Sequence, residues 1–237
     1  MSDDPPEERR RMVRPPSGGK DEGRHIGVTR VKTADRRTTS SQAWLQRQLN
    51  DPFVKLAKAQ GYRARAAFKL TEIDDRFHLI RKGSRIIDLG CAPGGWLQVV
   101  KQRGAAEVAG VDLLPVDPVA GVHLIEADFT APGVAEQLIA AIGGAPDLVL
   151  SDMAPNTSGH RQTDHLRIVG LIEAGADFAI ANLRPGGNFV AKAFQGGETE
   201  SVIRHLKAHF TDVRHVKPKA SRTDSSEVFL VATGLKT

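Results

Sequence analysis

The side chains best suited to chemistry are charged groups set in or beside apolar runs. Lys192 lies inside Asn188-Phe189-Val190-Ala191-Lys192-Ala193-Phe194. A buried lysine is costly unless paired, so it needs acidic partners or an escape to the sheet edge. Asp152 follows the run Asp147–Leu150, in Ser151-Asp152-Met153-Ala154-Pro155-Asn156. An acid ahead of a proline-containing loop is well placed to aim a carboxylate into a cleft. Glu227 opens the run Val228-Phe229-Leu230-Val231. A lysine flanked by Asp152 and Glu227 is a candidate catalytic group. To act as a base it must be neutral. Burial and a second cation favour that form, and the two carboxylates oppose it, so the sequence leaves the balance open. Lys69, on an amphipathic stretch, reads by itself as a solvated helix lysine.

A ligand for these groups is suggested by Arg85 to Trp96, RIIDLGCAPGGW. Ile86-Ile87-Asp88-Leu89 reads as a buried strand, Gly90 ends it, Pro93-Gly94-Gly95 turns the chain, and an apolar-periodic helix starts at Trp96. Pro93 would fit the first helical turn, where its missing donor costs nothing. Strand, glycine turn and helix start form the opening of a nucleotide-binding unit. The dinucleotide fingerprint is absent, because it would need glycine at Ala92. Asp112 ends the next strand about 20 residues on, where an acid can take a ribose hydroxyl pair. The combination suggests a ligand with a ribose and no pyrophosphate. Asp128 also ends an apolar run. Asp112 and Asp128 together could hold the ribose and base edge of an adenosine, or they could simply cap loops.

Two further features carry little. His205 and His209 lie one helical turn apart, but no third ligand supports a metal site. Cys91 sits in the ligand turn without a histidine base, so no metal and no catalytic thiol are expected.

Positioning these groups takes an α/β fold. Strands are predicted at 85–90, 107–112, 122–127, 146–152, 187–194, 213–217 and 227–233. Helices are predicted at 95–104, 133–143, 162–183 and 198–209. The alternation implies a Rossmann-like, mostly parallel seven-stranded sheet with helices on both faces. The last two strands leave no room for a helix and predict an antiparallel edge hairpin. Ligands bind at the carboxyl ends of parallel strands. An antiparallel strand starts at that same end, so Glu227 can join the site. Ahead of the sheet, residues 41–82 read as a helical extension with helices at Ser41–Asn50 and around Ala66, Phe68, Leu70, Ile73 and Phe77. Residues 1–40 are poor in large apolar groups and read as a disordered basic tail, leaving 41–237 as the catalytic domain.

The formal charge of +5 is unevenly spread. Residues 1–40 hold ten Lys/Arg against seven Asp/Glu, residues 41–82 nine against four, and residues 83–237 fourteen against seventeen. A basic flank beside an acidic body suits a polyanionic substrate. Arg63, Arg65, Lys69, Lys217, Lys219 and Arg222 are candidate phosphate contacts. The lone Cys91, the lack of an apolar leader and the lack of a long apolar run together predict a cytoplasmic protein without a membrane partner.

Six separated motifs then carry a resemblance. Phe68-Lys69-Leu70, Asp88–Trp96, Val111–Pro115, Ser151–Asn156, Lys192–Gly196 and Ser226-Glu227-Val228 occur in an order similar to that of the FtsJ-type RNA 2′-O-methyltransferases. The likeness covers roughly residues 41–235. It is nearest to the bacterial enzymes that methylate a uridine ribose in the A-loop of 23S ribosomal RNA within the large subunit. It implies S-adenosyl-L-methionine as cofactor, held by Gly94, Trp96, Asp112, Asp128 and Asp152. It also implies a catalytic set of Lys69, Asp152, Lys192 and Glu227, with Lys192 as proton acceptor, in a monomer. Cys91 stands where alanine is common in that family. Two other classes compete. A nicotinamide oxidoreductase conflicts with the glycine spacing. A non-catalytic RNA-binding protein conflicts with the intact charged set.

Overall fold

The structure, a computed structural model, describes residues 39–154, 161–195, 200–222 and 225–237. Most of the expected tail, Pro155, Asn156 and Gly196 lie outside the described residues, as does the Trp44 side chain. The chain divides into two compact units, Met1–Asn50 and Asp51–Thr237. In the first, the described residues form helix α1 (Thr39–Asn50).

In the second unit two helices precede the sheet. Helix α2 (Pro52–Ala59) was not expected from the sequence. It forms because Asp51 accepts the Phe53 N–H at 3.0 Å as N-cap and Pro52 supplies a preset φ at the first position. Helix α3 (Ala66–Phe77) buries Ala67, Phe68, Leu70, Thr71, Ile73 and Asp74.

The sheet follows: β1 (Arg85–Leu89), α4 (Gly95–Gln102), β2 (Glu107–Asp112), β3 (His123–Glu126), α5 (Val134–Ala141), β4 (Leu148–Ser151), α6 (Arg161–Asn182), β5 (Asn188–Phe194), α7 (Glu200–His209), β6 (Phe210–Val216) and β7 (Glu227–Leu235). The strand order is β3-β2-β1-β4-β5-β7-β6. The first five strands pair in parallel, and β7 pairs antiparallel with both β5 and β6. The expected hairpin is therefore present, with β6 as the edge and β7 inside.

Strand alternation sorts the apolar side chains onto two faces. Ile87, Leu89, Val149, Phe189 and Leu230 pack with α5, α6 and α7 through Leu138, Ile172, Ala176, Val202 and Leu206. Ile86, Leu148, Val190, Phe229 and Val231 pack with α3 and α4 through Leu70, Ile73, Leu97 and Val100. Asp88 is two residues from Ile86, Lys192 two from Val190 and Glu227 two from Phe229. All three therefore belong to the face covered by α3 and α4. No described helix is long and apolar enough to cross a membrane.

Candidate active site

Lys192 is 9 % exposed and meets the partner that burial demands. Its Nζ donates to the Asp152 carbonyl oxygen at 2.5 Å and lies 3.0 Å from Asp152 Oδ1. The second contact is an ion pair without hydrogen-bond alignment.

Glu227 was expected beside Lys192, and its own ion pair is with a different lysine. Glu227 pairs with Lys69, whose Nζ lies 2.6 Å from Oε1 and donates to Oε2 at 2.8 Å. The register explains this. Glu227 stands opposite Phe194, and Lys192 stands opposite Phe229. The Lys69 amine sits over the Phe229 ring, 5.7 Å from its centroid, and so reaches the acid from α3. The Ser221 hydroxyl donates to Glu227 Oε1 at 3.0 Å and fixes its rotamer. The site thus holds two acid–lysine pairs on one sheet face.

Beside them lies an open cleft of about 260 Å³, lined by Gly90, Ala92, Asp112, Leu113, Leu114, Asp128, Phe129, Asp152 and Met153 among others. A smaller cavity of about 40 Å³ is lined by Ala64, Ala66, Asp88, Gly95, Trp96 and Asp152 and shares Gly90, Ala92 and Asp152 with the cleft. Asp112 accepts the Ala92 N–H at 2.8 Å through Oδ2 and the Leu114 N–H at 2.9 Å through Oδ1. It therefore shapes the cleft wall, and each oxygen retains a second lone pair. Asp128 caps its loop, with Oδ1 accepting the N–H and hydroxyl of Thr130 at 2.9 and 2.7 Å. Those bonds hold its carboxyl below the usual range. Both acids thus cap loops, and both line the cleft.

The glycine turn departs from expectation in one respect. Pro93 precedes helix α4 rather than opening it, and the Ala92–Pro93 peptide is cis. Gly94 is the N-cap, with φ of 101° that other residues rarely adopt, and its N–H closes the turn onto the Cys91 carbonyl at 2.7 Å. No side chain caps α4, so its first N–H groups face the turn without intrahelical acceptors. Trp96 is nearly buried, and its indole N–H donates to the Ala66 carbonyl at 2.9 Å. Its ring thus joins α4 to α3. Gly90 permits a close approach, since a Cβ there would fall 2.6 Å from Met153 Cγ and 2.9 Å from its Cα.

Asp88 was quoted in the turn motif but given no role. It is 1 % exposed, and neither carboxylate oxygen has a hydrogen-bond partner among the described residues. Burial, then the charges of Asp152 and Asp112, push its carboxyl well above the usual range. The signal was available, because an acid in an apolar strand is as costly as the lysine at 192. Burial likewise raises the Cys91 thiol, in keeping with an inert role. Among the described residues no His, Cys, Asp and Glu cluster could hold a metal.

The basic candidates divide. Arg65 pairs with Asp51 and donates to the Ala220 carbonyl, Arg222 pairs with Asp51 at 3.2 Å, and Lys217 donates to the Ser225 carbonyl at 2.8 Å. These groups hold the β6–β7 connection. Arg63 donates to three backbone carbonyls. Lys219 is exposed.

A Rossmann-like sheet with a glycine-turn cleft and paired lysines at its carboxyl end defines a methyltransferase. Residues 62–235 match the model of the FtsJ-like methyltransferases, and the chain belongs to that family. It is 66 % identical over 225 residues to the "Ribosomal RNA large subunit methyltransferase E" of Caulobacter sp. (strain K31), covering 95 % of this chain and 99 % of that one. The protein of the same name from Hyphomonas neptunium is 52 % identical over 100 % of both. Among solved structures, a ribosomal RNA methyltransferase from Plasmodium falciparum superposes with a TM-score of 0.65 at 29 % identity, covering 73 % of this chain and 98 % of that one.

Proposed function

We propose that the protein transfers a methyl group from S-adenosyl-L-methionine to a ribose 2′-hydroxyl of large-subunit ribosomal RNA, at a uridine of the A-loop. The observation that carries this reading is the pair of lysines, each held by an acid, with Asp152 of one pair also lining the cleft. The residues present fit the cofactor. The two partnerless oxygens of Asp88, beside Asp152, suit an ammonium group. The uncapped start of α4 at Gly94 to Trp96 suits a carboxylate. Asp112 and Asp128 suit the ribose and base. When bound, the cofactor supplies an electrophilic sulfonium methyl group.

The chain's own part is to align the 2′-oxygen and manage its proton. Lys192 Nζ takes the proton as the oxygen forms its new bond, and Asp152 orients the amine. Lys69, fixed by Glu227, positions the ribose. A second reading has Lys192 steering the hydroxyl with an N–H. The Asp152 carbonyl fixes one N–H of the amine at 2.5 Å, a bond that either form of the lysine can supply. The protein acts as a monomer. The substrate implies a cytoplasmic location.

The test is single-turnover methylation of large subunits lacking the modification. Lys192→Ala should lower the rate at least about 10²-fold with little change in cofactor or RNA affinity. Lys192→Arg keeps the charge but cannot accept a proton. A well-folded Arg variant with a near-normal rate would eliminate proton acceptance and leave steering. A near-normal Ala variant would remove Lys192 from the chemistry.

A further inference from the structure

Arg63 reads in sequence as a phosphate contact, but its guanidinium is bound to the protein's own backbone. Nη1 donates to the Asp117 carbonyl at 2.6 Å and to the Pro93 carbonyl at 3.2 Å, and Nη2 donates to the Pro118 carbonyl at 2.8 Å. One side chain thus joins the glycine turn to the middle of the loop 113–122 that leaves Asp112. The Arg63 backbone is itself fixed, because its N–H donates to Gln98 Oε1 on α4 at 2.8 Å. Space is also matched to it. A Cβ at Gly94 would fall 2.7 Å from Arg63 Nη1 and 3.4 Å from Val116.

The loop so held is the one that needs holding. Leu113 and Leu114 are 68 % and 63 % exposed, yet both line the cleft beside Asp112. Near its start, the Asp112–Leu114 hydrogen bond anchors the loop. Its middle carries the two carbonyls that Arg63 binds.

We infer that Arg63 is a positioning residue that latches residues 113–118 to the glycine turn and so presets the cofactor cleft. The inference rests on the reading that this cleft holds S-adenosylmethionine. A planar guanidinium spans consecutive carbonyls and a third across the gap, whereas a lysine ammonium, as a point donor, does not. Without the latch the loop samples open states, and apparent affinity falls by the fraction of molecules in the closed form.

The experiment uses the full chain with Arg63→Ala and Arg63→Lys. Calorimetry with S-adenosylmethionine, without RNA, should show about tenfold weaker binding for Ala and a partial loss for Lys. The single-turnover methylation rate at saturating cofactor should stay within about twofold, and the salt dependence of RNA binding should be unchanged. Amide exchange at Leu113, Leu114, Val116 and Asp117 should quicken in both variants. That readout tests the latch even if the wild-type chain fails to bind this cofactor, an outcome that would instead overturn the proposed function. Unchanged exchange and cofactor affinity, with weaker RNA binding in Ala and restoration in Lys, would make Arg63 a phosphate contact and overturn the latch. Should the Ala variant lose the fold, the Lys variant decides between the same two outcomes.

Discussion

At the scale of single residues, the site is a set of desolvated charges, and only some of them are neutralised. Lys69 and Glu227 are 12 % and 14 % exposed and pair with each other, and Lys192 has Asp152. Asp88 has no partner among the described residues, and its raised carboxyl makes a signed prediction. The folded chain keeps a proton there that the unfolded chain releases near the ordinary value of 3.8. The associated stability is complete below that value and is lost as pH rises toward the higher folded value. Asp88→Asn has no proton to lose. Its melting temperature relative to wild type should therefore rise between about pH 5 and about pH 8. A difference independent of pH would mean that Asp88 is ionised, with a partner, in the folded protein. The costly residue types were legible in the sequence, because burial and charge are both properties of the chain itself. Which lysine meets which acid was not. That depends on the pairing of Phe194 with Glu227 and on α3 lying across Phe229.

At the scale of elements, periodicity was enough for the sheet, and each of its strands ends within three residues of expectation. What periodicity missed are elements fixed by tertiary partners. Helix α2 is short and starts from a cap, and the Arg63 latch acts on carbonyl oxygens, which every residue has. The β6–β7 connection is of the same kind. Glu72 on α3 accepts the Lys219 N–H at 2.7 Å and the Ala220 N–H at 3.4 Å, and Arg65 holds the Ala220 carbonyl from the same side. This connection carries Ser221, which orients Glu227. Glu72→Ala should cost about 1–3 kcal/mol in urea unfolding, the range for backbone donors losing a charged acceptor. Glu72→Gln, which keeps an acceptor, should recover part of it. Exchange of the Lys219 and Ala220 amides should quicken in the Ala variant. A loss under about 0.5 kcal/mol would show that water replaces the carboxylate freely.

For the whole molecule the governing quantity is the distribution of charge relative to the site. Residues 1–40 carry a net +3 and residues 41–82 a net +5, while residues 83–237 carry −3. Several cations of the second group are engaged in holding the fold: Arg65 with Asp51, Arg63 with three carbonyls, Lys69 with Glu227. A larger share of the attraction for phosphates then falls to residues 1–40 than the raw counts suggest. Each phosphate neutralised by a cation releases counterions, so affinity falls with salt in proportion to the number of contacts. Deleting residues 1–40 should weaken binding to large-subunit RNA and flatten its logarithmic salt dependence by up to about 3 units, given three net charges. The melting temperature and S-adenosylmethionine affinity should hardly change, because the sheet and both of its helical layers lie beyond residue 50. Titrating RNA against the full and shortened chains from about 50 to about 200 mM salt checks the slope. An unchanged slope would assign the phosphate contacts to the domain, and a large fall in melting temperature would mean that residues 1–40 stabilise the fold itself.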